Sequence, residues 1–310
     1  MSNTRRLALV AAGATFALIS IGGLVRATKS GLGCGTDWPH CSGRLLPALE
    51  NRAVLIEFSH RLAAGVVILL LGWLAVRALR RHRSEPQILW GSVAAFVLVL
   101  SQAALGALVV KLELQAVSVA LHLLVALSLL GLLLWVAFHA SEESSFRRPD
   151  RSIHRRSLLA AAAVAAAMLS GSYVTGSDAG LAFPDWPLMG GQLLPDLSLR
   201  HAAIAFLHRL LVVLGGIAVL AAVGALVRVR VDSPNLARLG YAAGGLYGGE
   251  ILIGALNVWT QLNPLNVTLH LALGAAIWGC LLSAAVGTRA QESLVGTRGK
   301  ERRAVVEAPA

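Results

Sequence analysis

Charge is the scarcest resource in this sequence: of 310 residues only 14% are Asp, Glu, Lys or Arg, against 56% that are hydrophobic. Soluble domains carry about a quarter charged residues, so a water-soluble class survives only if the apolar residues form one large core. The lengths of the apolar runs decide against that, because about 20 residues are needed to cross the hydrocarbon of a bilayer. Also missing is the short apolar–polar alternation that a membrane β-barrel requires. No Ala-x-Ala cleavage site follows the first apolar run, which is therefore expected to persist as an anchor. A long Arg- and Ser-rich presequence is absent too, which favours a bacterial plasma membrane over an organelle.

What is present is a series of eight long apolar runs: 7–25, 53–76, 88–110, 116–138, 157–174, 202–227, 236–258 and 265–287. Their Leu, Ala, Val and Gly content suits lipid-embedded helices that pack through small residues. The predicted fold class is all-α integral membrane, with eight transmembrane helices.

The net charge of +11 would fit nucleic acid if it were clustered on a soluble face, but it is distributed by side. With a cytoplasmic N-terminus, nineteen cations fall inside: Arg5, Arg6, Arg77, Arg80, Arg81, Arg83, Arg147, Arg148, Arg151, Arg155, Arg156, Arg228, Arg230, Arg238, Arg289, Arg298, Lys300, Arg302 and Arg303. Six fall outside: Arg26, Lys29, Arg44, Arg52, Lys111 and Arg200. Arg61 and Arg209 lie within runs. The inside excess places both termini in the cytoplasm and argues against a nucleic-acid partner.

The chain repeats itself. Glu57-Phe-Ser-His-Arg-Leu62 returns as Ala205-Phe-Leu-His-Arg-Leu210, Asp37-Trp38-Pro39 as Asp185-Trp186-Pro187, and Leu45-Leu46-Pro47 as Leu193-Leu194-Pro195. Leu105–Leu108 matches Ile253–Leu256, and Leu121-His122-Leu123 matches Leu269-His270-Leu271, every pair 148 positions apart. Val25 and Val174 match at 149. The repeat predicts an N-terminal four-helix half (1–139), a cytoplasmic linker (140–156), a C-terminal four-helix half (157–287) and a flexible cytoplasmic tail (288–310). An even helix number per half makes the repeat parallel rather than inverted.

Four of the nine histidines lie inside the runs, His60 and His122 in the first half, His208 and His270 in the second. Ionisable side chains inside a membrane are costly and mark function. Each stands six or seven residues into a run that starts at the outer face, or roughly 10 Å deep at 1.5 Å per residue. Two imidazoles at one depth on two helices can approach a flat metal ring from opposite sides. Haem iron accepts neutral imidazole, and haem fits an apolar slot between helices. Zinc would want further Cys, His or carboxylate donors, and the second half has none at close spacing. Two haem sites, one per half, are therefore expected.

Arg61 and Arg209 each follow a histidine and either meet haem propionates or snorkel to the interface. Glu57 shares a helix face with His60; its counterpart is Ala205. An acid there suits proton transfer, or it serves as a cap or a partner for Arg61. Glu250 in turn faces Gln102, with a weaker suggestion of haem tuning or proton carriage. Cys34 and Cys41 share an outer loop in which a disulfide is permitted, as a loop staple or as a thiol–disulfide relay. Cys280 reads as core.

Glu57-x-x-His60-Arg61, the Cys34/Cys41 pair with Asp37-Trp38-Pro39, His208-Arg209, His122 and His270 together resemble the haem A synthase family, over essentially the whole chain. That resemblance implies oxidation of the C8 methyl of haem O to a formyl group, giving haem A for cytochrome oxidase. It implies that His60 and His122 bracket the substrate haem, that Glu57 assists the oxidation, and that His208 and His270 ligate a haem B. Haem O synthase and oxidase assembly components are the implied partners. Some members carry a second outer-loop cysteine pair; here Ala182 and Met189 stand instead. A two-haem b-type electron carrier, such as a quinol oxidoreductase, is the competing reading. A repeat-built transporter is a further one, though inverted topology and broken helices are not evident.

Overall fold

The computed structural model describes residues 2–48, 50–141 and 151–306, with side chains as far as Thr288. Arg147, Arg148 and most of the linker lie outside the described residues, and so do the side chains of the tail cations from Arg289 onward. Among the described residues the chain is helical apart from two isolated antiparallel bridges, Cys41–Arg44 and Met189–Gln192.

The helices are α1 (Asn3–Ala27), α2 (Arg52–Arg81), α3 (Pro86–Lys111), α4 (Ala116–His139), α5 (Arg151–Gly176), α6 (Arg200–Arg228), α7 (Pro234–Trp259) and α8 (Pro264–Val306). Their starts are written locally. Ser2 accepts the Arg5 N–H and Asn51 the Ala53 N–H, satisfying donors that the first helical turn leaves free. Pro86 and Pro234 open α3 and α7, where a missing N–H costs nothing.

Among the described residues, seven helices are long and apolar enough to cross a membrane, which makes the chain a multi-pass membrane protein. The expected eighth, α7, is long enough at 26 residues but falls short in apolarity. Asn235, Arg238, Tyr241, Glu250, Asn257 and its glycines dilute it, and it packs between α6 and α8.

The boundaries follow the sequence repeat: α3 starts at 86 and α7 at 234, α4 at 116 and α8 at 264. Packing follows it as well. Helices α1 to α4 close a ring (α1·α2, α2·α3, α3·α4, α1·α4), and α5 to α8 close another (α5·α6, α6·α7, α7·α8, α5·α8). The rings meet through α1·α8, α4·α5 and α4·α8. Leu127, Leu129, Leu133, Ile277 and Leu281, five of the largest sealed side chains, sit on α4 and α8, which meet at this seam. Lipid is as apolar as leucine, so close packing rather than water exclusion holds such a seam. A methyl group placed on Gly131 would stand 2.8 Å from Leu282, and one on Gly23 would stand 2.8 Å from Leu271.

Candidate functional site

The four membrane histidines occupy equivalent settings. His60 on α2 leans on Gly22 of α1, and His122 on α4 leans on Gly106 of α3. In the other ring, His208 on α6 leans on Gly171 of α5 and His270 on α8 on Gly254 of α7. A Cβ on those glycines would lie 3.2, 3.2, 3.0 and 3.3 Å from the imidazole Cε1. Only glycine lets the backbone come that close without moving the ring. Each ring of helices carries its own two histidines, His60 and His122 on α2 and α4, His208 and His270 on α6 and α8.

Each imidazole is half-buried in a characteristic way. Nδ1 of His60, His122 and His270 is sealed without a hydrogen-bond partner. No Nε2 of the four is hydrogen-bonded or sealed off. A buried polar atom without a partner asks for an explanation. Paired imidazoles with an open Nε2, set in apolar surroundings, fit axial ligation of a haem iron. Among the described residues, no cluster of His, Cys, Asp and Glu could hold a lone metal ion.

Behind the rings the two halves part company. Ser170 Oγ stands 2.8 Å from His208 Nδ1, and Glu250 Oε1 stands 3.2 Å from His270 Nδ1. In the first half Gln102 takes the place of Glu250, and its amide donates to the backbone oxygen of His122 (2.8 Å) rather than to the ring. The residue before Gly22 is Ile21, where Ser170 precedes Gly171.

Above the histidines, the outer loops differ by chemistry on a common backbone. Trp38–Pro39 and Trp186–Pro187 are both cis. Arg61 donates to the carbonyls of His40 (2.8 Å) and Asp37 (3.2 Å), and Arg209 to those of Leu188 (2.8 Å) and Asp185 (3.2 Å). The first loop is closed by the Cys34–Cys41 disulfide. The second is closed by Asp185, whose carboxylate accepts the N–H groups of Gly190 and Gly191 at 2.7 Å each. Those two amides hold the Asp185 carboxyl below the usual carboxylate range. Both glycines have positive φ (68° and 77°), a conformation that costs a side-chain-bearing residue energy.

Glu57 is buried, 3% exposed, and both its oxygens are engaged: Oε2 accepts the Cys34 N–H at 2.8 Å and Oε1 pairs with the Arg61 guanidinium. It therefore ties the disulfide loop to the helix that carries His60. Ala205 makes no such link; there Arg209 lies over the Phe183 ring, 5.3 Å from its centroid. Cys280 is a half-buried free thiol in α8.

Sequence reasoning named the histidines, arginines, Glu57 and the cysteine pair, and the structure brings each into one of these two clusters. It overlooked the four glycines, although Gly106/Gly254 recur at 148 and Gly22/Gly171 at 149. Ser170 carried no such signal, since Ile21 stands at its matching position, and Asp185 recurred only within the Asp-Trp-Pro repeat.

The chain is similar to known proteins over most of its length. The family model described as cytochrome oxidase assembly protein matches residues 5–282. The haem A synthase of Symbiobacterium thermophilum is 31% identical over 271 residues, covering 84% of this chain and 87% of that one. That of Shouchella clausii is 31% identical over 210 residues, 66% of this chain and 70% of that one. A Thermus thermophilus protein named protohaem IX farnesyltransferase is 30% identical over 275 residues, 83% of this chain but 44% of its own length. With nearly the whole membrane domain matched, the chain belongs to the cytochrome oxidase assembly protein family.

Proposed function

We propose that this protein is a haem A synthase, an oxidoreductase that converts the C8 methyl of haem O to a formyl group and so supplies haem A for cytochrome oxidase. One observation carries the reading: two pairs of histidines, each ring seated on a glycine and each with an open Nε2. The relatives' shared name supplies the reaction.

In this reading His60 and His122 of the first half (1–139) bracket the substrate haem O. His208 and His270 of the second half (157–287) hold a resident haem B, with 140–156 as linker and 288–310 as tail. The two form parallel four-helix units, with both termini in the cytoplasm of a bacterial plasma membrane. A haem B, when bound, supplies reversible one-electron chemistry. The protein's own residues do the rest. The histidines would hold each haem iron through Nε2. The Gly23–Leu271 contact brings α1 and α8 together beside His60 and His270. Turning a methyl into a formyl takes hydrogen off the methyl carbon as protons and electrons, with the electrons passing to an external oxidant. Glu57, one helical turn from His60, is the proton acceptor. Its bonds to the Cys34 amide and Arg61 hold it in place. Arg61 and Arg209 keep N–H donors beyond those given to the loop carbonyls, at the outer end where propionates would lie.

Haem O synthase is the expected supplier of substrate, and the Thermus relative, which by its name makes farnesylated haem and is more than twice as long as the match, supports the link. Oxidase assembly components are the expected recipients.

The test is chromatography of acid-extracted haems from membranes co-expressing this chain with a haem O synthase. Haem A appearing only when the chain is present establishes the reaction. Haem B with untouched haem O in an intact, haem-loaded protein would replace this reading with a two-haem electron carrier.

A further inference from the structure

The two histidine pairs are equivalent in depth and seating but not in what stands behind Nδ1. Ser170 Oγ has one proton and points it at the Ala167 carbonyl, 2.8 Å away. Towards His208 Nδ1, 2.8 Å off, the oxygen is then an acceptor. That arrangement calls for the tautomer with hydrogen on Nδ1, which leaves the Nε2 lone pair free for a metal. Across the ring of helices Glu250, a carboxylate with no cation beside it, brings Oε1 to 3.2 Å from His270 Nδ1. Nδ1 is off the hydrogen-bond axis in this geometry, and Oε2 is buried with no partner. A small rotation of either side chain aligns the pair. A buried carboxylate in a membrane helix is expensive, and His270 Nδ1 is a polar atom at 3.2 Å that lacks a hydrogen-bond partner.

We propose that Ser170 and Glu250 are positioning residues that fix His208 and His270 in the Nδ1–H tautomer, and that this difference makes the second half the permanent haem site and the first half the exchangeable one. A histidine that donates its distal N–H to an oxygen is a more basic and better oriented ligand, and losing that oxygen typically weakens metal binding 10–100-fold. The carboxylate partner also favours the oxidised iron, lowering the reduction potential of that haem. His60 and His122 have neither partner: Ile21 stands where Ser170 does, and Gln102 spends its amide on the His122 backbone. Weaker anchoring suits a site through which substrate enters and product leaves.

The proposal rests on the reading that the second half holds a resident haem, and the experiment separates the two. The purified full-length protein, as isolated with its haem, is compared with Glu250→Gln, Ser170→Ala, Ser170→Thr and Gln102→Glu. The readouts are spectropotentiometry and the rate of haem transfer to excess apomyoglobin, with His208→Ala as the reference for an empty second site. Glu250→Gln is expected to raise the potential of the tightly held haem and to speed its loss 10-fold or more. Ser170→Ala is expected to speed loss too, and Ser170→Thr, which keeps the hydroxyl, to restore retention. Gln102→Glu is expected to slow haem exchange from the first site, a gain that misfolding cannot imitate. If His208→Ala still retains its haem B, the resident-site reading fails. If His208→Ala empties the site while Glu250→Gln and Ser170→Ala leave potential and release rate at wild-type values, the positioning role alone is overturned.

Discussion

The two halves of this membrane protein start from one plan and differ behind and above their paired histidines. Each sets two imidazoles on two glycines. Behind the imidazoles the second half has Ser170 and Glu250, and the first has Ile21 and Gln102. Above them the first half has Glu57 tying α2 to a disulfide loop, and the second has Ala205 beneath a loop closed by Asp185. The lesson is that the repeat preserved the histidine–glycine seats, while divergence fell on the groups around them. One half has an acid one turn from its histidine, the other has polar partners at the imidazole Nδ1 atoms.

The sharpest way to break the comparison is at Glu57. Glu57→Gln keeps an oxygen for the Cys34 amide but loses the charge, and haem A yield is expected to fall at least about 100-fold, the usual scale for a general base, with second-half haem retained. Glu57→Ala should do the same and also loosen the first loop, since removing one member of a buried ion pair costs about 3–5 kcal/mol. A normal haem A yield in either variant would end the catalytic assignment. Next in size, His208→Ala or His270→Ala should remove most of the haem B absorbance while leaving the fold helical. An unchanged spectrum would show that the second pair binds no haem.

Smaller effects separate the seats. Gly171→Ala puts a methyl 3.0 Å from His208 Cε1, and Gly254→Ala one 3.3 Å from His270 Cε1. The tighter contact should give the larger loss of haem, several-fold for Gly171→Ala and less for Gly254→Ala, and the reverse order would count against packing as the cause.

The smallest effects are in the outer loops, which should answer to different chemistry. A reductant should expose the Cys34 and Cys41 thiols to alkylation and raise hydrogen exchange at Ser42, whose N–H donates to Cys34 O, while leaving the second loop unchanged. Acid should do the opposite. The folded Asp185 carboxyl titrates below the ordinary value of about 3.9. Its stabilising contribution is therefore complete above that value and is lost as pH falls through the lower, folded one. Amide protection at Gly190 and Gly191, corrected for intrinsic exchange, should hold from pH 7 to about 4 and drop below the carboxylate range. Protection that vanished between pH 7 and 5 would mean that another group closes this loop.

Much of the site was legible because membrane helices leave few ways to place an ionisable residue. His60, His122, His208 and His270 stood out by being polar inside apolar runs, and the offset of 148 paired them. Glu57 was legible for the same reason, but its partners were not: its ties to Cys34 and Arg61 depend on how the loop folds back over α2. The arginines were placed at the right end of the helices, yet the carbonyls that take up their donors lie 21 and 24 residues away.

By itself the sequence determined the class, the number of helices, the repeat and the candidate ligands, because hydrophobic run length and the cost of buried polarity are local properties of the chain. Its run for α7 forms a 26-residue helix that is less apolar than the other seven and packs between α6 and α8. Only the tertiary structure decided which atoms stand behind each histidine. Ser170 and His208 are 38 residues apart, and Glu250 and His270 are on different helices. The distance between two such groups is set by how closely helices approach, and that approach depends on a glycine on one helix meeting a ring on the next.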